Sequence, residues 1–234
     1  MAVVHRTTMR PTKLELLTLW LPTRPWYHAG TGTPALSRTG GFRLDDPRGE
    51  VGIEFMAVTD TSGERPHTYH IPLGYRGAPL DGAEEALIGT SEHGVLGLRW
   101  IYDGAHDPVV VAALLALLAG EAEPQAQSLS DTPDPSVVAR LAESARPVVE
   151  GAASGAVPVV DGPEGTDLLL RTAGPDGSPG MAGGPLTVRV NRTLTDDGDA
   201  PSGAPGRLGE VTAGWSLPDG TAPRGAYAVV TGAA

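Results

Sequence analysis

The chain has 234 residues, 40% hydrophobic and 5% aromatic, with 32 glycines, 22 prolines, no cysteine and a net charge of -11. That suffices for one domain or two small ones, while the absence of thiols excludes disulfides and thiolate metal sites and fits a reducing cytoplasm. The acidity argues against a nucleic-acid partner, no apolar run is long enough to span a bilayer, and Met1 to Arg6 lacks the apolar core of a secretory leader.

From the N-terminus, Pro11-Thr12-Lys13-Leu14-Glu15 reads as a helix start, with Thr12 as N-cap and Glu15 as its reciprocal partner. Leu14, Leu17 and Leu21 repeat at helical spacing, widened by Leu16 and Trp20. Pro22 and Pro25 end this helix in a stiff turn carrying Trp20, Trp26 and Tyr27. Neighbours in an extended turn face opposite sides, so Trp26 is expected inside and Tyr27 partly open.

Strand-like stretches follow at 41–44, 51–58, 67–75 and 94–102, with a loop from Pro79 to Ala86. Tyr69, Ile71, Leu73 and Tyr75 fall on one face of the third, and Pro72 puts that strand at an edge or puts its missing N–H on the unpaired side. Asp107-Pro108 opens a helix whose apolar run from Val109 to Leu118 demands cover on most sides. Residues 121–135 read as a polar linker, with a short helix at 136–144. Beyond Pro147, glycine and proline dominate between β-like islands at 167–171, 186–194, 211–217 and 226–230, and Thr195 to Gly206 reads as a mobile loop. These shifts divide the chain into 1–120, a linker at 121–146, and a β-rich, partly disordered region at 147–234.

No residue set reads as catalytic. Lys13 is the only lysine and lies in the first helix, too early to hold a nucleotide, and Arg189 stands on a strand where a kinase wants a lysine. The glycine-rich run from Gly174 to Gly184 is broken by prolines and has no following lysine, so it reads as a loose connection rather than a phosphate loop. Asp45-Asp46, Glu84-Glu85 and Asp196-Asp197 read as solvated loop acids. His67 and His70 point to opposite faces of a strand and share no metal. Ser91-Glu92-His93-Gly94 has no strand-to-helix elbow to expose a nucleophile.

The order of the Leu-rich helix, Trp20-Leu21-Pro22, Trp26-Tyr27, Ala29-Gly30, Thr68 to Arg76, and Tyr102 to Pro108 resembles the N-terminal cap domain of actinobacterial maltokinases and their glucosamine-kinase-like relatives, over about 13 to 118. The resemblance implies an α+β fold, an antiparallel sheet with packed helices, ahead of a β-rich, Gly/Pro-rich C-terminal part. It also implies a link to α-glucan, maltose, glycogen and trehalose metabolism. In such kinases a large helical lobe supplies the catalytic and metal-binding acids; this chain is similar to small proteins that hold the cap without that lobe, some labelled 1,4-α-glucan branching proteins. The expected function is a non-catalytic interaction or regulatory module for a protein of glycogen or trehalose metabolism. The alternatives are a glucan-binding module and the remnant of a sugar kinase. The residues expected to meet a ligand or partner are Trp20, Trp26, Tyr27, Tyr75 and Trp100, with no cofactor and no metal.

Overall fold

The computed structural model describes residues 8–28, 32–129, 131–153, 157–171, 184–196 and 206–232. In chain order the elements are β1 (Met9–Arg10), α1 (Lys13–Trp20), β2 (Leu36–Leu44), β3 (Gly52–Asp60), β4 (His67–Arg76), β5 (Leu87–His93), β6 (Gly97–Asp103), α2 (Pro108–Ala119), β7 (Gln125–Ala126), β8 (Val138–Leu141), α3 (Arg146–Ala152), β9 (Val159–Gly162), β10 (Gly165–Leu170), β11 (Leu186–Asn191), β12 (Thr193–Leu194), β13 (Arg207–Gly214) and β14 (Arg224–Gly232). Short 3-10 turns lie at Leu21–Thr23, Glu84–Ala86 and Gly104–His106. The fold is α+β, built on two antiparallel sheets.

The first sheet runs β1-β5-β6-β4-β3-β2-β7, and β12 adds to β4; the second runs β8-β13-β14-β11-β10-β9. β3 is buried along nearly its whole length because the first sheet is covered on both faces. Ile53, Phe55 and Ala57 face a core shared with α2, α3 and the second sheet, whereas Met56 and Val58 face a smaller core under α1. Tyr69, Ile71 and Leu73 share that smaller core, as their alternation requires. The His70 N–H donates to the Arg192 carbonyl at 2.9 Å. Pro72, two residues on, faces the same edge of β4, in the gap between β12 and β6, so no ladder bond is lost.

Both expected helix starts form. Thr12 and Glu15 close a reciprocal capping box on α1. Asp107 caps α2 by accepting from the Val109 N–H at 2.9 Å, with Pro108 in the first turn and Gly120 ending the helix in the left-handed region at φ 78°.

Three expectations are corrected. The strand read at 94–102 is one arm of a hairpin, β5 to β6, whose turn takes up Gly94 to Leu96. The helix expected at 136–144 is absent: β8 pairs there with β13, and the helix starts later because Pro147 sits in the first turn of α3, where its missing N–H is harmless. The linker expected at 121–146 contributes β7, which pairs with β2, and β8. Ala29-Gly30, Met1 to Arg6, and most of Gly174 to Gly184 and Thr195 to Gly206 lie outside the described residues. Among the described residues, no helix is long and apolar enough to cross a membrane.

Candidate functional site

The aromatic turn after α1 divides as its alternation demands. Trp26 is 1% exposed and Trp20 6%, with ring centroids 5.8 Å apart in an edge-on arrangement. Burial leaves neither ring a face for a ligand, so both belong to the core under α1 rather than to a contact surface. Tyr27 is half-buried; its hydroxyl donates to Asp60 Oδ2 at 2.8 Å, and its ring lies 5.5 Å from that of Tyr69. Tyr75 and Trp100 are also half-buried and lie on the paired strands β4 and β6. Tyr75 is opposite Ile101 and Trp100 opposite Arg76, so the two fall on opposite faces of the sheet. The five aromatics therefore form no common platform.

Tyr75 belongs to a buried polar knot. Its hydroxyl donates to Glu54 Oε2 at 2.5 Å, Lys13 Nζ bonds the same oxygen at 2.6 Å, and Gln127 Nε2 donates to Oε1 at 2.8 Å. Burial alone raises the Glu54 carboxyl, but the Lys13 charge and these three bonds outweigh it and hold it below its ordinary value. Lys13 also lies 5.3 Å over the Tyr75 ring. The sole lysine thus tethers α1 to β3.

The densest polar structure surrounds the turn from Asp103 to Asp107, where each charged side chain reaches a different element. Asp107 accepts two bonds of 2.7 Å from Arg76 on β4. A Cβ on Gly74 would lie 2.6 Å from Asp107 Oδ2, which explains a glycine beside this pair. Asp103 accepts two bonds, of 2.9 and 2.7 Å, from Nη2 of Arg192, which is fully buried between β11 and β12. Arg192 Nε donates to Thr166 Oγ1 at 2.8 Å, and its guanidinium carbon lies 5.0 Å from the Trp26 ring. Thr166 in turn donates to Asp161 Oδ1 at 2.6 Å, and Asp161 Oδ2 meets His106 Nε2 at 3.1 Å. A continuous chain of polar contacts thus runs from His106 at the surface to the interior.

Charge follows this chain. Burial works against the Asp161 carboxylate, yet the bonds from His106 and Thr166 and the nearby Arg192 hold its pKa at about 2. The bond to Asp161 raises that of His106. Burial, reinforced by Arg192, pushes His70 down to about 3, so this imidazole is neutral against the Tyr227 ring 4.5 Å away. None of this was read from the sequence, although a signal existed. In β11 the core side chains are Leu186, Val188 and Val190, and Arg192 continues that inward phase whereas Arg189 falls on the outer one.

Beside this joint, an open groove of about 860 Å³ lies between β4, β12 and the β13–β14 connection. His28, His67, Thr68, Asp196, Trp215 and Arg224 are among its lining residues. The His28 and His67 rings stack at 5.2 Å, and the Tyr69 hydroxyl fixes the His28 backbone, accepting from its N–H at 3.1 Å and donating to its carbonyl at 3.3 Å.

The other polar candidates serve the fold. Asp46 accepts backbone N–H bonds from Arg48, Glu50 and Val51. Ser91 donates to the Pro11 carbonyl at 2.7 Å. Among the described residues, no group of three or more His, Cys, Asp or Glu side chains is placed to hold a metal ion. A search of curated proteins finds no match to this chain. From the aromatic turn to the cap of α2, residues 20–107 match the family model of the maltokinase N-terminal cap domain.

Proposed function

We propose that this protein is a non-catalytic cap-like module of α-glucan, maltose or trehalose metabolism, acting in the cytoplasm by binding another protein rather than by turning over a sugar. The cap match supports the metabolic link. The observation that carries the non-catalytic reading is the fate of Lys13. Sugar kinases of this kind hold nucleotide phosphates with a strand lysine; the one lysine here lies on α1, bonded to buried Glu54 at 2.6 Å. Arg189, on the strand where such a kinase would place its lysine, forms a two-pronged pair with Asp167 at 2.7 and 2.9 Å.

A second reading, a site for an α-glucan, draws support from the groove. Thr68, Thr193, Thr195 and Thr221 line it together with His28 and His67, and its lining includes one acid and one arginine. Such a surface suits an uncharged polyhydroxylated ligand. The test incubates purified protein with ATP and maltose, glucose or glucosamine, and titrates it with maltoheptaose by calorimetry. The binding-protein reading predicts no phosphate transfer and no saturable heat. Turnover that survives repurification and vanishes in Arg189→Ala overturns it in favour of a kinase. Saturable heat lost in His67→Ala overturns it in favour of the glucan site.

A further inference from the structure

We propose that His106 and Asp161 form a pH-sensitive latch fastening the turn end of the β9–β10 hairpin to the turn that leads into α2. Among the described residues β9 is an edge strand, paired with β10 over Val159 to Gly162. Within the hairpin β10 is anchored by Thr166, Leu168 and Leu170, all buried, whereas on the edge strand β9 Val160 is 52% exposed. Next to the hairpin turn, Asp161 of β9 reaches the 3-10 turn Gly104–His106 through His106 Nε2 to Asp161 Oδ2 at 3.1 Å, spanning 55 positions of sequence.

The charges facing this pair set the direction of its response. Asp103, from the end of β6, and Asp161, from β9, favour the imidazolium; Arg192, entering from between β11 and β12, opposes it. Asp107 in the same turn is engaged by Arg76, and Asp167 on β10 by Arg189. The imidazole of His106 is 27% exposed and the Asp161 carboxylate 28%, so the proton exchanges with solvent without unfolding. Protonated His106 donates to the carboxylate as a charged partner. Above its raised pKa it becomes a neutral ring, and the contact loses its charge assistance. For the sign, a histidine whose folded pKa lies above its unfolded value contributes stability fully present below the unfolded value, near 6.5, and lost as pH rises through the folded one. The change travels inward because the other Asp161 oxygen holds Thr166, which accepts from Arg192.

The test is hydrogen exchange of the full-length protein at pH 6 and pH 8.5, corrected for intrinsic rates and read on peptides covering residues 159–167. The latch predicts that protection there falls about tenfold between the two conditions while protection of β3 is unchanged. It also predicts that His106→Gln, which keeps a donor without a charge, shows the lower protection at both. Equal protection of the hairpin at both pH values in the wild type overturns the proposal, as does an unchanged pH dependence in His106→Gln. Both residues are partly exposed, and β3 protection reports in the same experiment whether a variant is folded.

Discussion

Trp26 and Tyr27 are chain neighbours with opposite surroundings, and the difference sets what each substitution costs. Trp26 is enclosed by Trp20, Tyr69 and the Arg192 guanidinium. Truncating a buried tryptophan costs about 3–5 kcal/mol, and here it also leaves a buried cation without its aromatic face. Tyr27 keeps one side toward solvent and contributes a bond to Asp60, so Tyr27→Phe is expected to cost about 1 kcal/mol. Thermal melts check this: Trp26→Ala is expected to lower the transition strongly and Tyr27→Phe only slightly. Equal melting of Trp26→Ala and wild type contradicts the burial described. Arg192 shows the same logic from the polar side: at 0% exposure its Nε and Nη2 are taken up by Thr166 and Asp103 and its guanidinium faces the Trp26 ring, while Nη1 makes no hydrogen bond among the described residues.

At the scale of elements, the sequence was most legible where local chemistry and burial agree. The capping box of α1, the Asp-Pro start of α2 and the alternation of β3 and β4 all formed as their residues demand. It was least legible where pairing across the chain decided the outcome. Val138 to Leu141 has no strong local preference and becomes a strand because β13 lies beside it. The turn inside 94–102 was hidden because Val95 and Leu96 are apolar yet exposed. Of the site, the burial of Trp26 followed from alternation, but the Arg192 chain depends on contacts 89 positions apart. The α1–β3 tether allows a direct test. Lys13→Met leaves the Glu54 carboxylate buried without its cation, at a cost of about 3 kcal/mol, discounted because Lys13 is itself partly exposed. Adding Glu54→Gln is expected to restore part of that loss in denaturant melts. Because the folded Glu54 value lies below its unfolded one, the wild-type contribution is present at neutral pH and is lost as pH falls through the folded value.

For the whole molecule, the expected division near residues 121–146 runs through shared structure. One core unites Phe42 and Phe55 of the first sheet with α2, α3 and Tyr227 of the second, and the Phe42 ring lies 5.8 Å from that of Tyr227. β12 returns from the second sheet to pair with β4, and Gly40 bridges Trp215. A Cβ on Gly40 would lie 2.9 Å from that of Trp215, so the two sheets meet backbone to backbone there. The cap-like segment and the C-terminal half therefore share one core and are expected to unfold together, and residues of both line the groove. Differential scanning calorimetry of the full chain tests this most directly. The account predicts a single transition whose van't Hoff enthalpy equals the calorimetric one. Two resolved transitions, the first leaving a folded unit spanning residues 1–120, would contradict it.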